Sequence, residues 1–265
     1  MKPPIAILVS SHDPYSDLWP PYFAAFHRNW SDCPFPIYLL SNRLVFPDPV
    51  VKPILVGDVR SWPDSMRLAL HAIEEEFVLL LLEDLFLISP IDTERFLRLA
   101  EWVTEHRPAC IRVEPIPGMV PSEFKGIYKL PPGMLYRAST VLTLWRKDVL
   151  ISLLRSDETI WQFEIQGSVR TDVYPDFYAT EETYLPWLNG VIRGKWVPQA
   201  QAALIAAGYP VQTQARGMFT LWERFKQSFR ITRARTLRLV PLQYQRRIRL
   251  WFDSTPRESA VAARK

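Results

Sequence analysis

The sequence predicts an α/β fold, in which helices flank a mostly parallel sheet, followed by a C-terminal helical extension. Strand-like apolar runs alternate with amphipathic helical segments through about the first 115 residues, a pattern typical of parallel sheets covered on both faces. The composition, 48% hydrophobic and 23% charged, is that of a globular protein. The last 50 residues differ and are rich in Arg. We therefore expect one domain over residues 1–215 and a basic amphipathic extension over 216–265.

The first five elements are predicted from their hydrophobic patterns. Residues 5–13 form an apolar run that ends in polar residues, as expected of a buried strand. Aromatic residues recur at helical spacing over 17–30, and a second apolar strand covers 35–42. A third strand over 50–58 is weaker because Lys and Pro interrupt it. The helix over 61–76 begins with Ser as a plausible N-cap and carries its apolar residues on one face.

The elements that follow become less regular along the chain. The most apolar run of the sequence predicts a fourth strand, and an amphipathic helix and a fifth strand come after it. Between 115 and 200 the chain is rich in Pro and Gly, which indicates loops and short antiparallel strands. Further strands are predicted over 77–88, 109–115 and 138–146, and further helices over 92–106, 147–155 and 157–171.

Several classes of protein are disfavoured by the sequence. It contains no run of about 18 uncharged apolar residues, so we expect no transmembrane helix. The N-terminus becomes polar too soon for a signal peptide, and Cys33 and Cys110 form no metal-binding or disulfide pattern, so we expect a cytoplasmic protein. No glycine-rich nucleotide-binding loop is present. The contiguous Ser11, His12 and Asp13 do not indicate a hydrolase triad, which is defined by spatial geometry.

Two adjacent carboxylates, Glu83 and Asp84, interrupt the apolar segment "FVLLLLEDLFLI". An unpaired buried charge is costly, so these acids need partners or a ligand. Ligands of open α/β sheets bind at the carboxyl ends of the strands. Carboxylate oxygens suit Mg²⁺ or Mn²⁺, which bridges phosphates. We predict a metal site for a diphosphate here; the alternative is a structural pair with a cation such as Arg67.

The order of several motifs resembles bacterial glycosyltransferases of the GT-A fold, found in capsule and lipopolysaccharide gene clusters. The motifs are "VSSHDPYSDLW", "SWPDSMRLAL", "EFVLLLLEDLFLISPID", "WQFEIQGS" and "RGKW", and the likeness spans residues 5 to about 200. The resemblance implies transfer of a sugar from a nucleotide-sugar donor to a hydroxyl of a lipid-linked or oligosaccharide acceptor.

Within this resemblance, Glu83 and Asp84 stand where the family has a D-x-D-like motif that holds the metal and the donor. Phe86 occupies the position of the second acid, which departs from the strict motif. Because successive strand residues face opposite sides, only one acid of an extended strand could reach the ligand, and we favour Asp84 as the metal ligand. The predicted donor-binding residues are Ser11, Asp13, Asp58, Arg67, Glu83, Asp84, Arg193 and Lys195. The alternatives are a turn role for Asp13, a solvated helix charge for Arg67 and an ordinary basic turn at 193–195.

Glu164 is the predicted general base of an inverting transfer, because it lies among aromatic residues and far along the chain from Asp84. Its neighbours Trp161 and Phe163 are predicted to form an acceptor surface on which a sugar ring stacks. The alternative is that the aromatics belong to the core and Glu164 is an ordinary helix residue. The next candidates for the base are Asp157, Glu158 and Asp172.

The C-terminal extension interleaves Arg with large apolar residues, a pattern that suits an anionic membrane surface. We therefore expect peripheral attachment to the inner face of the cytoplasmic membrane. Nucleic-acid binding through the extension is a less favoured alternative, and a solvated helical face is another. A non-catalytic protein that binds nucleotide sugars or glycans is the second hypothesis for the whole chain.

Overall fold

The computed structural model describes residues 4–220. Residues 221–265, which make up most of the predicted helical extension over 216–265, lie outside the described residues. The described chain forms a nine-stranded mixed sheet with the order β3-β2-β1-β4-β9-β6-β10-β8-β7. The pairings make β8 and β9 run opposite to the other seven strands. The predicted α/β class, with a mostly parallel sheet flanked by helices, is confirmed.

The strands of the large sheet are β1 (Ile5–Ser10), β2 (Ile37–Ser41), β3 (Val51–Leu55), β4 (Phe77–Leu82), β6 (Cys110–Arg112), β7 (Val120–Pro121), β8 (Ile127–Lys129), β9 (Thr143–Arg146) and β10 (Phe177–Thr180). Two small sheets pair β5 (Leu85–Leu87) with β11 (Trp187–Asn189) and β12 (Val191–Ile192) with β13 (Lys195–Trp196). The short strands after residue 115 agree with the irregular pattern of that region, although β10 was not predicted.

The helices are α1 (Trp19–Asn29), α2 (Trp62–Ala72), α3 (Thr93–His106), α4 (Lys147–Leu153), α5 (Ile160–Gln162), α6 (Ser168–Arg170) and α7 (Pro198–Ala206). Local sequence explains where they begin: the Ser61 and Asp92 side chains accept hydrogen bonds from the backbone amides of Asp64 and Arg95. A 3-10 segment, Asp13–Leu18, precedes α1, so that the predicted helix over 17–30 starts slightly later than expected.

The sheet separates two apolar cores, as expected when both of its faces are covered. One face packs against α1 and α3 through residues such as Phe23 and Phe96, and the other packs against α2 and α4 through Met66 and Leu150. Strands β1 and β4 are paired on both sides and almost wholly buried, which explains their continuous apolar sequences. The carboxyl ends of these two inner strands therefore lie side by side in a fixed position near the middle of the sheet.

The predicted single strand over 77–88 is divided in the structure. Strand β4 ends at Leu82, Glu83 and Asp84 form a turn, and β5 leaves the large sheet to pair with β11. The prediction of one strand was wrong at this point because apolar residues resume immediately after the two acids. A turn also removes the strict alternation of an extended strand, so the expectation that only one acid could reach the ligand no longer follows.

The predicted helix over 157–171 is also irregular. Helices α5 and α6 are joined by a π-helical turn, Phe163–Gly167, and a 3-10 turn, Thr171–Val173, follows them. Such π-helical turns are rare and often occur at functional sites. This one contains Glu164, the predicted general base.

Candidate functional site

The acid pair lies at the carboxyl end of β4, at the centre of the sheet. Strand β4 pairs with β1 up to Ser10 and Leu82, and Glu83 and Asp84 follow directly. The backbone amide of Gly190 donates to the carbonyl oxygen of Asp84 at 2.8 Å. A Cβ atom at Gly190 would lie 2.3 Å from the Phe86 ring, so glycine is required for this close approach. The turn is thus fixed by the pairing of β4 in the sheet and by the hydrogen bond from Gly190.

Loss of solvation disfavours the ionised form of both acids when no ligand is bound. Glu83 is only 7% exposed. Loss of solvation, and to a lesser extent the charge of Asp84, raises the pKa of Glu83 well above its usual value. Loss of solvation also raises the pKa of Asp84 to about 6, against the opposing charge of Arg216. Oδ1 of Asp84 is buried and has no hydrogen-bond partner among residues 4–220.

Arg216 is the cation whose charge acts on both acids, and the sequence analysis did not predict it as a site residue. Its guanidinium donates to both carboxylate oxygens of Asp17, at 2.6 and 2.8 Å, and to the carbonyl oxygen of Pro14 at 2.8 Å. It also lies over the Tyr15 ring, 3.9 Å from the centroid. Its positive charge lowers the pKa of both Glu83 and Asp84. An ion pair between residues 17 and 216 depends on tertiary structure, which no local sequence signal indicates.

Two tyrosines complete the surroundings of the acid pair. Tyr22 is buried, and its hydroxyl has no hydrogen-bond partner in the part of the chain described here. Burial, together with the charges of Glu83 and Asp84, raises the pKa of both Tyr15 and Tyr22. Both hydroxyls therefore stay protonated near neutral pH.

The acid pair fits a hard divalent cation better than it fits a structural ion pair. Mg²⁺ is commonly held by one or two carboxylates together with substrate phosphates and water. The unpartnered Oδ1 of Asp84 is available for such an ion. Among the described residues there is no cluster of three or more His, Cys, Asp or Glu side chains that could hold a metal alone. A cation at this position would consequently need further oxygen ligands, from water or from substrate phosphates.

The alternative of an ion pair with Arg67 does not agree with the structure. Arg67 pairs with Asp64 at 3.4 Å and donates to the Ser156 hydroxyl at 3.4 Å and the Leu154 carbonyl at 3.3 Å. These contacts fix Arg67 between α2 and the end of α4. The predicted reach of Arg67 to a diphosphate has no support in this placement, because its donors are used within the α2–α4 side of the molecule.

The structure brings Asp13 and Asp58 to the same edge of the sheet as the acid pair. The Asp13 carboxylate accepts hydrogen bonds from the backbone amides of Asn42 and Arg43 at 2.9 and 3.1 Å, which joins the ends of β1 and β2. This long-range contact differs from the local turn role before Pro14 that was weighed as an alternative. Asp58 forms an exposed ion pair with Arg43. The Ser11 hydroxyl accepts a hydrogen bond from the Trp19 indole at 2.8 Å.

Arg193 and Lys195 lie in the β12–β13 hairpin. Arg193 and Gly194 both have positive φ, 53° and 75°, which is typical of a two-residue hairpin turn. A Cβ at Gly194 would lie 3.6 Å from the Tyr15 hydroxyl and 3.9 Å from the Arg216 guanidinium. The hairpin therefore lies beside Tyr15 and Arg216, with Arg193 in its turn and Lys195 in β13.

Glu164 lies at the same edge of the sheet as the acid pair, on the side of β4 where β9 lies. Its Oε1 accepts hydrogen bonds from the amide and hydroxyl of Thr140, both at 3.0 Å. Thr140 precedes β9, which runs antiparallel to β4 with Thr143 opposite Leu80, so Thr140 lies near the carboxyl end of β4. The setting of Glu164 is thus polar, in contrast to the apolar setting predicted. Trp161 is 68% exposed.

The predicted stacking role of Phe163 is wrong. Phe163 is fully buried and lies 5.3 Å from the Trp62 ring and 6.4 Å from the Trp145 ring. It belongs to the core beneath α2, as the alternative reading proposed. Among the reserve candidates for the base, Glu158 is bound by Arg170 at 2.6 Å, and Asp172 accepts from the backbone amide of Gly133 at 2.9 Å. Asp157 is exposed.

A further acid at this edge, Glu114, was not predicted. It follows β6, and its carboxylate accepts hydrogen bonds from Arg112 at 2.5 Å and from the Trp187 indole at 3.0 Å. The signal was present in the sequence, because Glu114, like Glu83, is a carboxylate that interrupts an apolar run predicted to be a strand. Asp13, Asp58, Glu83, Asp84, Glu114 and Glu164 therefore share one edge of the sheet.

The chain has distant structural likenesses. No known family model matches the sequence, and no curated protein matches it. S. aureus TarS 1-349 in complex with UDP-GlcNAc is 14% identical with a TM-score of 0.48, covering 69% of this chain and 57% of that one. A CMP:2-keto-3-deoxy-manno-octonic acid synthetase complexed with CTP is 15% identical (TM-score 0.46; 77% and 98% covered). Galactosyltransferase LgtC in complex with donor and acceptor sugar analogs is 10% identical (TM-score 0.38; 66% and 72% covered).

In its match with the UDP-GlcNAc complex, this chain spans less than two thirds of the TarS fragment. The assignment of the fold rests on the strand order described above. Within residues 4–220, no helix is both long enough and apolar enough to cross a bilayer.

Proposed function

We propose that this protein transfers a sugar from a nucleotide-sugar donor to a hydroxyl group of a surface-glycan acceptor of the capsule or lipopolysaccharide type. The observation that carries the proposal is the acid pair at the carboxyl end of β4, in which Glu83 is buried, Asp84 is partly buried, and one oxygen of Asp84 is unpartnered among the described residues. Open α/β sheets bind ligands at this edge. Titratable groups perturbed by burial in such a crevice are candidates for function. Distant likenesses to proteins crystallised with UDP-GlcNAc or CTP are compatible with a nucleotide-sugar donor.

In the proposed reaction, Asp84 and Glu83 would hold Mg²⁺ or Mn²⁺, and the cation would supply positive charge for the donor diphosphate. Arg216 contributes a second positive charge beside the acids, kept in place by Asp17 and the Tyr15 ring. Glu164 accepts the proton of the acceptor hydroxyl as its oxygen attacks the anomeric carbon. The hydrogen bonds from Thr140 fix the Glu164 carboxylate at the same edge of the sheet. Trp161 offers an exposed ring for an acceptor sugar.

A thermal-shift screen of nucleotide sugars with Mn²⁺ tests the proposed donor. A donor at about 100 times its dissociation constant should add about 2.7 kcal/mol to the free energy of unfolding. We expect one nucleotide sugar to raise the melting temperature with Mn²⁺ and to lose this effect with EDTA. If a broad panel of nucleotide sugars gives no stabilisation under any metal condition, the proposed donor class is wrong.

The basic extension is proposed to hold the enzyme at the inner face of the cytoplasmic membrane. Interleaved Arg and apolar residues carry this proposal, with each cation near an anionic surface contributing about 1 kcal/mol. The chain should be truncated after Thr220, because Gly217 and Phe219 exchange backbone hydrogen bonds with Trp196 of β13. The truncated protein should bind donor normally but no longer sediment with anionic liposomes. Undiminished sedimentation of the truncated protein would exclude this role.

A further inference from the structure

A second groove lies apart from the acid pair and is lined mainly by charged side chains. It encloses about 650 Å³ between α3, the end of β10 and the start of β8. Its side chains include Arg95, Arg98, Lys125, Glu181, Glu182 and Tyr184. None of them belongs to the site described above, and they supply both hydrogen-bond donors and acceptors.

The groove opens at the same edge of the sheet as the acid pair. Strand β10 is parallel to β6, and its carboxyl end, Thr180, lies opposite Ile127 at the start of β8. Three inter-strand steps separate β10 from β4, or roughly 14 Å at about 4.8 Å per step. One short segment connects the two places, since residues 181–184 line the groove and Gly190 is bonded to Asp84.

One side of the groove is held rigidly. The Arg95 guanidinium lies 3.9 Å from the centroid of the Tyr184 ring and pairs with Glu182 at 2.9 Å. Tyr184 is fixed in turn by its backbone amide, which donates to the Val113 carbonyl at 2.9 Å, and by an edge contact with Phe96. Arg95 therefore presents an oriented planar donor, a group well suited to carboxylate or phosphate.

The other cations of the groove are exposed and little used. The Arg98 side chain is 65% exposed, and its contact with Glu94 is long at 4.0 Å. Lys125 is exposed and forms no ion pair with any residue between 4 and 220. Exposed cations without close partners keep their capacity to bind an anion. The carboxylates of Glu181 and Glu182 can accept hydrogen bonds from hydroxyl groups, so the lining suits a ligand rich in hydroxyls that also carries negative charge.

We propose that this groove binds an acidic glycan, a sugar chain with anionic substituents, as the extended part of the acceptor. The inference rests on the proposed function, because it takes the acid pair as the place of transfer. The reacting end of the glycan lies near Asp84 and Glu164, and units farther along the chain lie along the 181–190 segment and enter the groove. There, Arg98 and Lys125 contact the anionic substituents.

Calorimetry with hexagalacturonate, neutral maltohexaose and poly-L-glutamate tests the groove. The wild-type protein should bind hexagalacturonate more tightly than either comparison ligand, and added salt should weaken that binding. The double variant Arg98→Ala/Lys125→Ala should lose about ten-fold in affinity for hexagalacturonate, because two exposed charge contacts are removed. Lys52→Ala/Arg107→Ala is the matched control. It removes the same charge outside the groove and should bind like wild type.

Three results would overturn the proposal: no binding of hexagalacturonate, equal binding of poly-L-glutamate, or an equal loss in the Lys52/Arg107 control. Donor binding is measured on the same samples. Glycan binding lost in the groove variant with intact donor binding supports the groove. Donor binding absent from the wild-type protein, with glycan binding present, would refute the proposed function rather than the groove.

Discussion

Asp84→Asn should leave the fold intact and weaken Mn²⁺-dependent donor binding by on the order of 100-fold. The amide keeps the shape of the side chain but removes the charge that a divalent cation requires, and a cation bridging phosphates contributes several kcal/mol. Calorimetric titration of the donor with Mn²⁺ and with EDTA measures the effect. Equal donor affinity of wild type and Asp84→Asn would remove Asp84 from the metal site.

The pH dependence of the same variant provides a second readout. Since burial raises the pKa of Asp84 to about 6, its ionisation destabilises the ligand-free protein. The stability that protonated Asp84 contributes is present below about pH 4 and is lost as pH rises through about 6. Glu83, Asp17, Arg216, Tyr15 and Tyr22 are the charged or titratable groups that surround it.

Above pH 7, Asp84→Asn should therefore be more stable than wild type, by about 3 kcal/mol at most. Donor affinity with Mn²⁺ should rise with pH through about 6 in the wild type, because a bound cation requires the carboxylate. Chemical denaturation and calorimetry between pH 5 and 8 measure the two effects. The wild type could instead gain stability relative to the variant between pH 5 and 8. That result would show that ionisation of Asp84 does not destabilise the folded protein.

Glu164→Gln should reduce turnover by a factor of about 10² to 10⁴ and leave donor affinity close to that of the wild type. Gln keeps an oxygen that can accept the hydrogen bonds from Thr140, so the local structure should persist. The loss then reflects removal of the group that accepts the acceptor's proton. Initial rates at saturating donor, with donor affinity measured separately, distinguish the two effects.

Glu158→Gln is the control for this substitution, because Glu158 lies nearby in sequence and is engaged by Arg170. Turnover of Glu164→Gln within a few-fold of the wild type would remove Glu164 from the mechanism, and exposed Asp157 would become the next candidate. A product with retained anomeric configuration, observed by NMR, would contradict the inverting assignment whatever the variant does.

The fold was predictable because local patterns determine it. The fully buried strands β1 and β4 appear as uninterrupted apolar runs, and Ser61 and Asp92 mark helix starts by residue type. The break after Leu82 was not predicted. Apolar residues flank Glu83 and Asp84 on both sides. The same residues would be expected if one strand continued or if a second strand began in another sheet, so the sequence does not reveal the break.

The site was only partly predictable, for reasons that differ from residue to residue. The position of Asp84 followed from acids at the end of an apolar strand. Phe163 and Trp161 are two positions apart, which places them on opposite sides of a helix. One is therefore buried and the other exposed, and the aromatic residue types alone do not distinguish them. Arg216 reaches the site through contacts with Pro14, Tyr15 and Asp17, which lie about 200 residues away in the sequence.

Metal-dependent release of nucleoside diphosphate from a nucleotide sugar tests the central claim most directly. The proposed enzyme should release the diphosphate with Mn²⁺, faster when a glycan acceptor is added, and Asp84→Asn should abolish the release. A protein that binds the donor yet never releases nucleoside diphosphate, with any acceptor or metal, would contradict glycosyl transfer. That result would instead identify a nucleotide-sugar-binding protein, the alternative that the incomplete D-x-D motif leaves open.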